Sequence, residues 1–126
     1  MAGTVWYESG VGPLTTSVVI HGGGRLPYTV VELSGEADVT DSDTLHSVLQ
    51  AETRKKPGLL VIDLSQLRYL DSSALQAILR TKRELSHDGG LLALVNPHNA
   101  VARILQITEA DQIVPVYASV HEATQR

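Results

Sequence analysis

"LLVIDLSQLRYLDSSAL" (residues 59–75) contains two patterns that meet at an acid and two hydroxyls. Its opening, "LLVIDLS" (59–65), is a short and nearly continuous apolar run. Such a run marks a central strand covered on both faces. Its close begins an amphipathic helix over 73–87, in which Ala74, Leu75, Ile78, Leu79 and Leu85 form the apolar stripe. Gln76, Arg80, Arg83 and Glu84 lie largely off that stripe. A buried strand that feeds an amphipathic helix is the repeating unit of a parallel α/β sheet. Asp and Ser are favoured helix N-caps, so Asp71, Ser72 and Ser73 fit the junction as a helix start.

The flanking sequence extends the same alternation. "LTTSVVI" (14–20) and "YTVVELSG" (28–35) read as strands, and the short turn "HGGGRLP" (21–27) makes them an antiparallel hairpin. "DVTDSDTLHSVLQAETRKKPG" (38–58) changes to a helical period. Leu45, Val48 and Leu49 share one face, Asp41, Ser42 or Asp43 caps the start, and Pro57 and Gly58 end the element. Gly89 and Gly90 stop the helix after Asp71. "LLALV" (91–95) is a further strand, and "NPHNAVARILQIT" (96–108) a short helix with Val101, Ile104, Leu105 and Thr108 inward. "IVPVY" (113–117) reads as a last strand, placed at an edge because Pro115 has no N–H for a ladder. "SVHEATQR" (119–126) reads as a closing helix capped by Ser119. Residues 1–13 show no period and read as a flexible N-terminal arm, leaving 14–126 as one domain. The order β-β-α-β-α-β-α-β-α predicts an α/β fold with a mixed, mostly parallel central sheet and packed helices.

Composition narrows the functional classes. The chain has 126 residues, 43% apolar, with no Phe and one Trp, so Leu, Val, Ile and Ala must build the core. A formal charge of −4 provides no basic footprint for direct nucleic acid contact. Cysteine is absent, which excludes disulfides and thiolate metal sites. No apolar run approaches the roughly 18 residues of a membrane span, and the first residues do not read as a signal peptide. A cytoplasmic protein without membrane insertion is expected. The five histidines show no metal-binding spacing, and His46 and His87 are expected to be solvated on helix surfaces or ends. Gly22, Gly23 and Gly24 lie between hairpin strands and lack a phosphate-loop pattern, and no GxSxG elbow surrounds Ser72. Nothing marks Asp38 and Asp71 as an acid–base pair. The expectation is a protein that is not an enzyme, with no cofactor and no metal.

Loops after the C-terminal ends of parallel strands commonly carry function. Two such segments are acidic or hydroxylic, "GEAD" (35–38) and "LRYLDSSA" (67–74). Adjacent parallel strands would bring Asp38 near Asp71, Ser72 and Ser73 on one rim. A phosphate on Ser72 would be tolerated by the free N–H groups of its own helix. It would also change the charge of that rim and repel a docked partner. Capping alone is also a sufficient account of these residues, and the local physics leaves both readings open.

"VVELSGEAD" (30–38), "LLVIDLSQLRYLDSSAL" (59–75) and "LLALVNPHNAVARILQITEADQIVPVYASVHEA" (91–123), taken in order, resemble the STAS domain family and within it the bacterial anti-sigma factor antagonists. The resemblance covers about residues 14–124. It implies a STAS-like domain that binds protein in a partner switch. The implied partners are an anti-sigma factor with ATP-dependent serine kinase activity and a phosphoserine phosphatase that restores binding. By position, Ser72 matches the family's phosphoacceptor. Asp38 closes the strand-end motif that Glu36 begins. Asp38, Asp71, Ser73 and Gln76 match the partner-binding surface, which extends along the helix through Ile78, Leu79 and Arg80. Two positions depart from the family. Ala74 stands where glycine is common and would crowd a close partner, and "TEA" (108–110) replaces a family-like "TGL" and would reshape its loop. The resemblance also admits a constitutive STAS scaffold, or a ligand-sensing subunit of a signalling or transport assembly, in which Ser72 is mainly a cap.

Overall fold

Strand β4 (Leu59–Leu70) lies in the middle of the sheet and buries residues on both of its faces. The structure, a computed structural model, describes residues 2–5, 14–21, 28–37 and 42–125. These residues form one six-stranded sheet in the order β1-β2-β3-β4-β5-β6. The other strands are β1 (Ala2–Val5), β2 (Leu14–His21), β3 (Tyr28–Ala37), β5 (Leu91–Val95) and β6 (Val116–Tyr117). Pairing is antiparallel for β1–β2 and β2–β3 and parallel from β3 to β6, as the α/β reading requires. The helices are α1 (Ser42–Thr53), α2 (Ser72–His87), α3 (Asn99–Ile107) and α4 (Val120–Thr124).

The pleat sorts the core into two layers. On one face, Val31, Leu33, Leu60, Ile62, Leu64, Leu92 and Leu94 pack with Leu45 and Leu49 of α1, Ala74, Leu75, Ala77, Ile78 and Leu85 of α2, and Val101 and Leu105 of α3. On the other face, Val30, Leu59, Val61, Ala93 and Val95 pack with Ala123 of α4. Continuous apolar runs in β4 and β5 are therefore explained by burial on both sides. His46 and Glu84 tie α1 to α2, with Nε2 2.9 Å from Oε1. His46 is thus half-buried and partnered rather than solvated as expected, whereas His87 is exposed.

Several boundaries differ from the sequence reading. β4 continues five residues past Ser65, to Leu70. Between the pairs Tyr28–Leu59 and Ala37–Leu70, β4 advances two residues more than β3, with register shifts after Glu32 and after Gly35. Two β-bulges absorb the difference. As a result Leu64, Leu67 and Leu70, three apart, all reach the same core. Strict alternation fails there, so a period-two reading stops early. At the N-terminus, Ala2–Val5 pairs with Val18–His21, although no period marks it; a four-residue edge strand is specified by its neighbour's backbone. The rest of the expected arm, residues 6–13, lies outside the described residues, as do Gly22, Gly23 and Gly24. At the C-terminus, β6 keeps its expected edge position but only two residues, because Ala110–Gln112 form a 3₁₀ turn before it.

The α3 segment is also shorter than expected. It starts at Asn99, after Asn96 at φ 53° and Pro97, and Thr108 is exposed, its hydroxyl donating to the Ile104 carbonyl at 2.7 Å. The next residue, Glu109, is left-handed at φ 60°, ψ 19°. That is the backbone a glycine would supply after a helix end, so "TEA" keeps the glycine-type turn instead of reshaping it.

Leu67→Ala is expected to cost about 2–5 kcal/mol in urea unfolding, the range for a fully buried leucine. A loop leucine beyond a strand ending at Ser65 would cost well under that. Glu109→Gly is expected to raise stability by about 0.5–1 kcal/mol in the same assay, since glycine relieves the positive φ at some entropic cost.

Candidate functional site: the turn from β4 into α2

The site begins where β4 runs out. Leu70 is in the core, and the next N–H, that of Asp71, donates to the Ala37 carbonyl at 3.0 Å. This bond extends the β3–β4 pairing by one step and holds Asp71 extended, at φ −92°, ψ 178°. Extended backbone is what an N-cap needs. The Asp71 side chain then turns back, and its Oδ1 accepts from the Ala74 N–H at 3.0 Å. Its carbonyl accepts from the Leu75 N–H at 3.0 Å, the first turn of α2. Ser72, Ser73 and Ala74 are therefore the first three residues of the helix, one residue earlier than the sequence spacing indicates.

These positions separate the candidate residues. Ser72 is exposed and Ser73 half-buried, and neither hydroxyl bonds to a described residue. The first turn of α2 carries no acid of its own, so the Asp71 carboxylate is the negative group there. Ala74 is fully buried in the core. Its methyl group faces the sheet, so it does not crowd a partner at the rim. Gln76 and Arg80 are exposed and Leu79 is half-buried, whereas Ile78 is fully buried and leaves the candidate surface. Asp38 lies outside the described residues; the residue before it, Ala37, is the one bonded to Asp71. Glu36 is exposed and in register with Tyr69, an aromatic 46% exposed two residues before Asp71. Sequence spacing did not single out Tyr69, because its orientation follows from the second bulge. Gly35, at φ 93°, sits at that register shift, which explains glycine in "SGE".

A second feature escaped the sequence reading. A polar groove of about 460 Å³ is lined by Ser34, Gly35, Ser65, Gln66, Arg68 and His98. No cluster of His, Asp and Glu able to hold a metal occurs among the described residues. No helix among them is long and apolar enough to cross a membrane.

The model of the STAS domain matches residues 17–123. An anti-sigma F factor antagonist from Paenibacillus polymyxa is 32% identical over 89 residues, 70% of this chain and 76% of the relative. The crystal structure of an anti-sigma factor antagonist from Mycobacterium paratuberculosis aligns with a TM-score of 0.77 and 31% identity, covering 87% of this chain and 90% of that one. The unphosphorylated form of the anti-sigma factor antagonist SpoIIAA shares the fold, with a TM-score of 0.67 at 23% identity over 82% of this chain and 90% of that one. The chain spans only 58% and 55% of the length of two Thermotoga relatives, which it matches at 36% and 37% identity.

Replacing the cap tests the geometry. Asp71→Ala is expected to destabilise the protein by about 1 kcal/mol, and Asp71→Asn by much less, because asparagine also caps. Ser73→Ala is expected to stay within about 0.5 kcal/mol. Urea midpoints for the three variants report the difference.

Proposed function

The chain belongs to the STAS domain family, and we propose that it is an anti-sigma factor antagonist whose partner binding is switched by phosphorylation of Ser72. The observation that carries this reading is the exposed Ser72 hydroxyl at the first position of α2, directly after the Asp71 cap. The likeness in sequence to antagonists from Paenibacillus polymyxa and Mycobacterium paratuberculosis supports it.

The chemistry is a phosphoryl transfer from ATP. The Ser72 oxygen bonds to the γ-phosphorus, the bond to the β-phosphate oxygen breaks, ADP leaves, and the serine proton passes to solvent or to a base of the kinase. The kinase is the anti-sigma factor itself, and a phosphoserine phosphatase reverses the step by hydrolysis. In the unmodified state the rim around Asp71, Ser73, Gln76 and Asp38 docks the anti-sigma factor, which releases its sigma factor. The added phosphate brings nearly two negative charges beside the Asp71 carboxylate. The N–H groups at the start of α2 accommodate that charge, so the fold persists while the docking surface becomes much more negative. The switch acts through charge at one turn and needs no refolding. Protein and kinase meet in the cytoplasm. A ligand-sensing role is the second reading, and the groove beside Arg68 favours it.

Incubation with the cognate anti-sigma kinase and ATP, followed by site mapping, is expected to place phosphate on Ser72. Ser72→Ala is expected to keep the fold and take up no phosphate. Ser72→Asp is expected to weaken kinase binding at least about tenfold, or 1.4 kcal/mol, in calorimetric titration. Equal affinity of wild-type, phosphorylated and Ser72→Asp protein would rule the mechanism out.

A further inference from the structure

The two bulges of β4 do more than extend the strand. Leu64 and Ser65 together oppose Leu33, and Arg68 has no register partner on β3. Bulges re-aim side chains, and here Ser65 and Arg68 both line the polar groove, together with Ser34, Gly35, Gln66 and His98. Among the described residues, the lining contains a guanidinium, an imidazole, an amide and two hydroxyls, and no carboxylate. Among the described residues, none of these side chains makes a hydrogen bond or ion pair. His98 is the N-cap residue of α3, yet its side chain makes no capping bond. Sheet carboxylates lie close in sequence, among them Glu36 next to Gly35 and Asp63 two residues before Ser65; neither is among the lining residues, and Asp63 Oδ1 accepts from the Ser65 N–H at 2.9 Å.

We propose that this groove binds the oxyanion group of a small molecule, a phosphate or phosphate monoester, with Arg68 as its anchor. An arginine fork donates two parallel hydrogen bonds to such a group, and its charge is permanent. Ser34, Ser65, Gln66 and His98 supply further donors around the same space. A volume of about 460 Å³ leaves room for an organic body beyond the anion. A guanidinium without a partner among the described residues, in a lining whose described residues include no acid, favours an anion over a cation, although the whole chain carries a charge of −4. The site stands apart from the Ser72 reading and does not depend on phosphorylation. It shares β4 with the switch, so both inputs reach the same strand end.

The test is an NMR titration of the full chain with inorganic phosphate, ribose 5-phosphate and ribose. Saturable shifts centred on Ser34, Gly35, Ser65, Gln66, Arg68 and His98 are expected with the two phosphates and absent with ribose. Tighter binding of ribose 5-phosphate assigns a phosphate monoester, and equal affinity assigns the free anion. Arg68→Ala is expected to weaken binding at least about tenfold. Arg68 is exposed, so this variant should fold normally. Ser72→Ala is expected to bind like the wild type, which separates this site from the phosphorylation switch. No saturable shift in the groove with either phosphate, or shifts that survive Arg68→Ala, would overturn the proposal.

Discussion

One backbone hydrogen bond, from the Asp71 N–H to the Ala37 carbonyl at 3.0 Å, organises the C-terminal rim of the sheet. Its net energy is modest, about 1 kcal/mol for a bond of this kind. Its geometric effect is larger. It carries the β3–β4 pairing to the last residue before the helix and keeps Asp71 extended. Only then can the Asp71 carboxylate reach the Ala74 N–H, start α2, and leave Ser72 outward and Ala74 inward. The same bond joins the ends of the two segments that contain the acidic and hydroxylic residues. Helix start, cap and core contact are thus set by a single local arrangement.

The bulges in β4 serve this arrangement. A strand two residues longer than its partner would slip out of register if the pairing were regular. Here the surplus is taken up in two places, so that Leu64, Leu67 and Leu70 all stay in the core and the strand still ends opposite Ala37. The surplus also shapes the surface. Arg68 and Tyr69 emerge on the rim, one into the polar groove and the other beside Glu36. The burial of three leucines in a bent strand, at roughly 1.5–3 kcal/mol each, outweighs the ladder bonds that a bulge sacrifices.

The two departures from the family pattern are accommodated for different reasons. Ala74 adds a methyl group, but the helix start aims it into the core, where it adds apolar contact. Glu109 adds a side chain at a left-handed residue and keeps the turn at the cost of backbone strain. Neither change touches the exposed Ser72.

Several features were legible in the chain itself because their causes are local. The apolar run at 59–65, the amphipathic stripe from Ala74 to Leu85, and an acid placed just before a helix all follow from neighbouring residues. They predicted the alternating α/β order, the parallel pairing and the cap. The continuation of β4 was not legible, because bulges replace the two-residue period with threes. β1 was not, because an edge strand takes its register from β2. The removal of Ile78 from the surface, the inward turn of Ala74 and the pairing of His46 with Glu84 depend on how α1, α2 and the sheet pack. The groove needed residues from β3, β4 and the start of α3, which are far apart in the chain. Local chemistry determined what could start, stop and cap each element. Only tertiary packing decided which side chains those elements bury and which they bring together, because contacts between distant segments have no signature in the spacing of either one.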